Sequence, residues 1–176
     1  VAGYSSDNVF KIATPGSCST GGTSCTITEI IDATGDGAGN TLNDPDGVAT
    51  DASGNVFVAG NISSNAFKIT PGGVITEIID ATGDGAGNTF SGSRAIAVDG
   101  SDNVVFTAGN TGNASKRTPG GVMTESVASK GDGDGKTRGT PLDLDVDGAH
   151  PFSGDGGSNG HTVRRQPRRG RTAYDR

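Results

Sequence analysis

The sequence predicts an all-β fold: a stack of four-stranded antiparallel sheets, one sheet to each 48-residue repeat. Two observations lead there. The segment TEIIDATGDGAGNT at residues 28–41 returns letter for letter at 76–89, and in altered form, TESVASKGDGDGKT, at 124–137, so both offsets are 48. A fixed period of that length marks a repeat architecture. Between these segments, apolar runs of strand length alternate with clusters of Gly, Pro, Asn and Asp, the pattern of strands joined by tight turns.

The second repeat is the cleanest. Residues 46–51 (DGVATD) read as a short strand ending in a turn at 51–55 (DASGN). Residues 56–60 (VFVAG) form an apolar strand, 61–65 a polar turn, and 66–70 (AFKIT) a strand with Phe67 and Ile69 on one face and Lys68 on the other. After the turn at 71–73 (PGG), residues 74–80 form a fourth strand. Strict alternation puts Ile75, Glu77 and Ile79 on one of its faces and Val74, Thr76 and Ile78 on the other. Successive strands around such turns make an antiparallel meander. Apolar residues on both faces require cover on both sides, which face-to-face stacking of sheets supplies.

The first repeat enters midway. Val1-Ala2-Gly3 matches Val58-Ala59-Gly60, and residues 9–12 (VFKI) match 66–69 (AFKI). An insertion follows that contains Cys18 and Cys25. The third repeat keeps residues 95–99 (AIAVD) and 103–106 (NVVF), then loses Phe67 to Ser115 and Ile69 to Arg117, which reads as decay. A fourth opens at 142–148 (LDLDVDG). Residues 149–176 hold only Phe152 and Val163 of the large aliphatic or Phe set and read as a disordered basic tail, although repeat register would place a strand near 151–156. The domain plan is therefore a repeat region over 1–148 and a tail over 149–176.

Composition sets bounds. Gly accounts for 31 of 176 residues, and Leu, Ile, Val and Phe together for roughly 18%. Below about 20% a disordered chain becomes the competing reading. The modest net charge of −6 and the periodic grouping of the apolar residues favour folded repeats. Residues 161–176 hold six Arg against Asp175, a local +5, which leaves −11 on the rest of the chain. An acidic body repels polyanions, so no nucleic-acid partner is expected. The Arg-rich segment at 164–171 lacks interleaved aromatic residues and reads as unstructured. No apolar run approaches membrane-spanning length. Val1 begins inside a repeat, so a processed chain or a piece of a longer one is expected. Two cysteines seven residues apart in a Gly/Ser/Thr loop suit a small disulfide and an extracellular or cell-envelope setting, with two free thiols as the other reading.

The unit G-V-A-x-D-x-x-G-N-V-F-V-A-G-N … F-K-I-T-P-G-G over residues 47–73, with the Gly-Asp-Gly loops at 35–37, 83–85 and 131–133, resembles the NHL repeat. The resemblance covers residues 1–148. It implies a β-propeller with one four-stranded blade per repeat. About three blades are present, fewer than the 4–8 of a closed ring, so the ring is expected to be incomplete. Open faces carrying Ile27 and Ile31 at one end and Val122 and Met123 at the other then call for a homodimer or for missing blades on a longer chain. Propellers host binding, scaffolding and lyase or lactonase functions alike.

Two kinds of chemistry compete. Asp32, Thr34, Asp36 and Asn40, with Gly37, occupy positions 1, 3, 5, 9 and 6 of a calcium-loop pattern, and Asp80, Thr82, Asp84, Asn88 and Gly85 repeat it. Position 12, where a calcium loop carries a bidentate Glu, is Asn43 or Ser91. Ca²⁺ loops and simple tight inter-blade turns both stay open. The only histidines, His150 and His161, fall in the tail. Glu29, Glu77 and Glu125 are the only glutamates and share one repeat position, which suggests cross-strand ion pairs with Lys11, Lys68 and Lys116. No nucleophile with a base can be assigned. The expected function is a non-catalytic binding or scaffold module for a protein or glycan, with no resident cofactor. A calcium-dependent or metal-dependent, lactonase- or lyase-like propeller fragment is the alternative.

Overall fold

A computed structural model of the chain describes residues 1–13, 26–127, 139–146 and 151–155, and every regular element among them is a strand. The first sheet contains β1 (Ala2–Gly3), β2 (Asn8–Ala13) and β3 (Thr26–Ile31). The second contains β4 (Pro45–Thr50), β5 (Val56–Gly60), β6 (Asn65–Ile69) and β7 (Ile75–Ile79). The third contains β8 (Ser93–Val98), β9 (Val104–Ala108), β10 (Asn113–Arg117) and β11 (Met123–Val127). The fourth pairs β12 (Pro141–Val146) with β13 (Pro151–Asp155). Within each sheet the strands pair antiparallel in sequence order. The sheets follow one another through their first strands, β1 beside β4, β4 beside β8 and β8 beside β12, and they do not close into a ring.

The turns explain the strand ends. The Asp51 carboxylate accepts hydrogen bonds from the Asn55 backbone N–H at 2.8 Å and from its side-chain amide at 2.6 Å, which closes the turn between β4 and β5. Asp99 and Asn103 repeat this in the third sheet. At the β6–β7 turn the Thr70 N–H donates to the Val74 carbonyl at 2.9 Å, and Gly73 takes a φ of 82° that a side chain would disfavour.

A bulge corrects the expected faces of the fourth strand. Ala66 pairs with Ile79 but Phe67 pairs with Glu77, so Ile78 is the extra residue. Ile78 and Ile79 consequently join one apolar cluster while Ile75 packs against another. The bulge recurs at the equivalent places in the first and third sheets. The register set at the turn, ahead of the bulge, places the charges. Lys68 stands opposite Thr76, and the Glu77 carboxylate accepts from the Asn65 amide at 3.0 Å. The described ion pair is instead Lys116 with Asp99 at 3.7 Å.

Both clusters lie between sheets. Val9, Ile31, Leu42, Val58, Phe67 and Ile69 fill the first junction. Phe57, Ile78, Ile79, Phe90, Ile96, Val104 and Phe106 are the large residues of the second. The apparent decay of the third repeat is a repacking. Val58 pairs across strands with Phe67, and the equivalent pair is Phe106 with Ser115. The ring has moved from one member of the pair to the other. There it meets Phe90 edge to face, with centroids 5.9 Å apart.

The expectation about the open end faces changes. Ile31 is buried and Met123 packs against the second junction, so neither lies on an open end face. Val122 is exposed only because it sits in a turn, as its counterpart Val74 does inside the stack. β13 (Pro151–Asp155) pairs with β12 where repeat register puts a second strand, and residues 147–150 and 156–176, which include the expected boundary and most of the expected tail, lie outside the described residues. The cysteines, the histidines and the Arg-rich segment lie outside the described residues.

The repacking predicts coupling. Ser115→Phe alone overfills the junction and should lose about 1–3 kcal/mol. Phe106→Val alone should also destabilise, while the double variant recovers much of both losses, a coupling of about 0.5–3 kcal/mol. Denaturant melts of the four proteins measure this, and simple additivity would contradict it.

Candidate functional site

One end of the stack gathers the β1–β2, β5–β6 and β9–β10 turns with the long loops that enter β4 and β8. Two hydrogen bonds staple neighbouring sheets there. The Asp7 carboxylate accepts from the Asp44 backbone N–H at 2.7 Å, and at the equivalent place the Ser64 hydroxyl accepts from the Gly92 N–H at 3.3 Å. Asp7, Ser64 and Asp44 have φ of 49°, 54° and 57°. The left-handed region costs about 1–2 kcal/mol for most residues with a Cβ, and short polar side chains such as Asp meet it most readily. Gly112 and Gly92 fill two equivalent positions, which shows the backbone demand directly.

Around the first staple the side chains converge. Asn61 donates to Asp44 at 3.3 Å and to Asp46 at 3.0 Å. Burial pushes the Asp44 carboxyl above its ordinary range, and Asp46 and Asp7 push it the same way, while the Tyr4 hydroxyl and the Arg94 charge pull it down. Tyr4 and Ile62 stand exposed at the rim. The group can accept hydrogen bonds, attract cations and stack an aromatic ring against a ligand. The sequence did not reveal it, because Asp7 and Asp44 are 37 residues apart and belong to different repeats. The available signal was divergence. Residues 43–46 (NDPD) become 91–94 (SGSR), and 61–64 (NISS) become 109–112 (GNTG), while the TPGGV turn at the other end is unchanged.

No family model matches the sequence, and no curated protein matches it. Solved structures do. A streptogramin B lyase aligns with 91% of this chain at 16% identity and a TM-score of 0.59. A catalytically inactive virginiamycin B lyase from Staphylococcus aureus with quinupristin aligns with 86% at 16% identity and a TM-score of 0.59. A chain of a nidogen/laminin complex aligns with 74% at 18% identity and a TM-score of 0.54. The fold is a β-propeller. The chain spans less than half the length of each of these propeller chains, 48%, 43% and 45% respectively.

In the propeller frame the calcium-pattern residues sit in the loops between blades. Each loop closes on itself. Asp36 accepts from the Ala38 N–H at 2.9 Å and the Asn40 amide at 2.8 Å, and Asp84 does the same with Ala86 and Asn88 at 2.8 and 2.7 Å. Asp32 and Asp80 accept from the N–H and hydroxyl of Thr34 and Thr82. These bonds hold all four carboxyls below their usual range, the Asn40, Thr34, Asn88 and Thr82 side chains contributing most. A Cβ at Gly35 or Gly83 would meet the Asn40 or Asn88 carbonyl oxygen at 1.8 Å, so the loop needs glycine there. The Asp, Asn and Thr side chains thus face the loop's own groups. Among the described residues no three His, Cys, Asp or Glu side chains gather to hold a metal.

Two clefts open at the opposite end, of about 530 Å³ between the first two blades and about 160 Å³ between the next two. Pro71 lines one and Pro119, its repeat equivalent, lines the other.

Asp44 gives a signed prediction. A carboxyl raised in the folded state favours folding of the protonated form, so its effect is absent below the ordinary value of 3.8 and turns destabilising as pH climbs through the raised value. Asp44→Asn should therefore raise Tm at pH 7 by a few degrees at most, and the gain should vanish near pH 4. Melts of both proteins across that interval test this, and an equal gain at every pH would contradict it.

Proposed function

We propose that the chain is a non-catalytic binding module that holds a protein or glycan on the loop end around Asp7, Asp44, Asp46 and Asn61. The observation that carries this reading is the placement of repeat divergence. The first and second repeats are identical over 28–41 and 76–89 yet differ where residues 4–7 (YSSD) stand against 61–64 (NISS), and the third repeat differs again there and at 91–94, the positions that present the Asp/Asn cluster and its Tyr4 and Ile62 rim. Loops on a rigid sheet scaffold are where recognition concentrates. Acidic groups beside an exposed aromatic ring suit a partner that brings Lys, Arg or hydroxyl donors, and the acidic body favours the approach of a basic partner. The propeller neighbours include lyases and a chain of a nidogen/laminin complex, so the fold admits both catalysis and binding. A second copy or further blades complete the ring. The proposed setting is extracellular or cell-envelope, resting on the Cys18–Cys25 pair, and thiol counting under denaturing, non-reducing conditions should then find no free thiol.

Probing peptide and glycan arrays with the purified chain tests the binding reading. Binding should weaken at least tenfold in Tyr4→Ala and Asp46→Lys and should persist in Lys11→Ala, which alters the opposite end. Equal loss in all three, or loss only in Lys11→Ala, would overturn it.

A further inference from the structure

The cleft between the second and third blades lies between two four-stranded sheets. Its third-blade wall is lined by Val104, Thr118 and Pro119, and Lys68 reaches it from the second blade. The cleft between the first two blades has the same residue types at the equivalent positions, Val56, Thr70, Pro71 and Lys11. Two positions of that shared wall differ. Asp102 stands where the other cleft has Gly54, and Arg117 where it has Ile69. Both changes introduce charge, of opposite sign, and both line one small cavity.

Neither charge is explained by the fold. Gly54 serves its turn with a φ of 79°, and Asp102 adopts 59° at the equivalent place, in the left-handed region that disfavours a Cβ. Arg117 does not neutralise Asp102, since the described ion pair is Lys116 with Asp99. A Cβ on Gly121 would meet Nη2 of Arg117 at 3.3 Å, so the guanidinium lies against its own turn. Lys68 also differs from its counterpart. Lys116 reaches Asp99 at 3.7 Å, whereas Lys68 stands 5.9 Å from the centre of the Phe57 ring, and both Asp51 oxygens accept from Asn55. Two cations and one carboxylate thus line the cleft with no ion-pair contact among the described residues.

We propose that this cleft binds a small zwitterion, a free α-amino acid, with its carboxylate held by Lys68 and Arg117 and its ammonium by Asp102. Charge-assisted hydrogen bonds of this kind are the strong ones, and a guanidinium suits a carboxylate. The volume of about 160 Å³ is below the range of drug-sized sites, about 300–1,000 Å³, which fits a ligand this small. The cleft lies at the end opposite Asp7 and Asp44 and does not rest on the loop-end reading.

NMR titration of the whole chain with L-alanine and L-aspartate tests this, with acetate and ethylamine as the separate halves of the ligand. The Ser53 and Thr118 amides, which line the cleft, should shift saturably with either amino acid. Each half alone should bind at least about tenfold more weakly. Arg117→Ile and Asp102→Gly, which restore the second repeat's residues, should abolish the shifts, and Tyr4→Ala should leave them unchanged. The spectrum of each variant shows whether it is folded, and Lys68→Gln replaces Arg117→Ile if that one unfolds. No saturable shift with either amino acid would overturn the proposal, as would shifts that survive both reversions. Acetate binding as tightly as the amino acids would overturn it too, by showing an anion site alone.

Discussion

The structure depends on one constraint: the second and third sheets are covered on both faces, the second by an apolar junction on each side. β5 shows it within five residues. Val58 points into the first junction while Phe57 and Ala59 point into the second. At about 25 cal/mol per Å² of apolar surface, such burial is the large favourable contribution available to a chain this rich in glycine. The hydrogen-bonded turns position the strands, and each contributes about 1 kcal/mol. Face-to-face cover also decides what the rest of the molecule can do. It aligns the turns at one end into a continuous surface, and it makes a blade without a neighbour incomplete.

Much of this was legible in the sequence, for physical reasons. The strands of the second repeat lie within one residue of where turn chemistry and apolar runs place them, because the Asp-x-x-x-Asn and Thr-Pro-Gly-Gly turns leave the backbone little choice. The features that single strands do not show are those that cross-strand pairing decides. Glu77 and Lys68 look like an ion pair from their repeat positions, but the register set by the turn puts Lys68 opposite Thr76 and Glu77 opposite Phe67. Ser115 looks like a lost core residue until its cross-strand partner is seen to be Phe106. The calcium pattern and the observed loops share their letters, since carboxylate and amide groups that ligate cations also close turns.

The loop end was the least legible part, since it depends on pairing between repeats. The Asp7–Asp44 bond crosses two blades. The same bond is made by Ser64 and Gly92 one blade on, without a charge. Position 44 therefore does not require a carboxylate for structure. Holding one there, buried and near two others, opposes folding at neutral pH. Residues that work against stability where a neutral alternative serves equally well are the ones to examine for function.

The central claim is that cover on both faces sets the stability of each blade. Native-state hydrogen exchange in dilute solution tests it most directly, because protection reports the free energy of local opening. The account predicts the slowest exchange in β5, β6 and β9, whose sheets are packed on both sides, and markedly faster exchange in β2 and β3, whose blade is covered on one. Equal protection of β2, β3, β5 and β6 in a dilute monomer would contradict it.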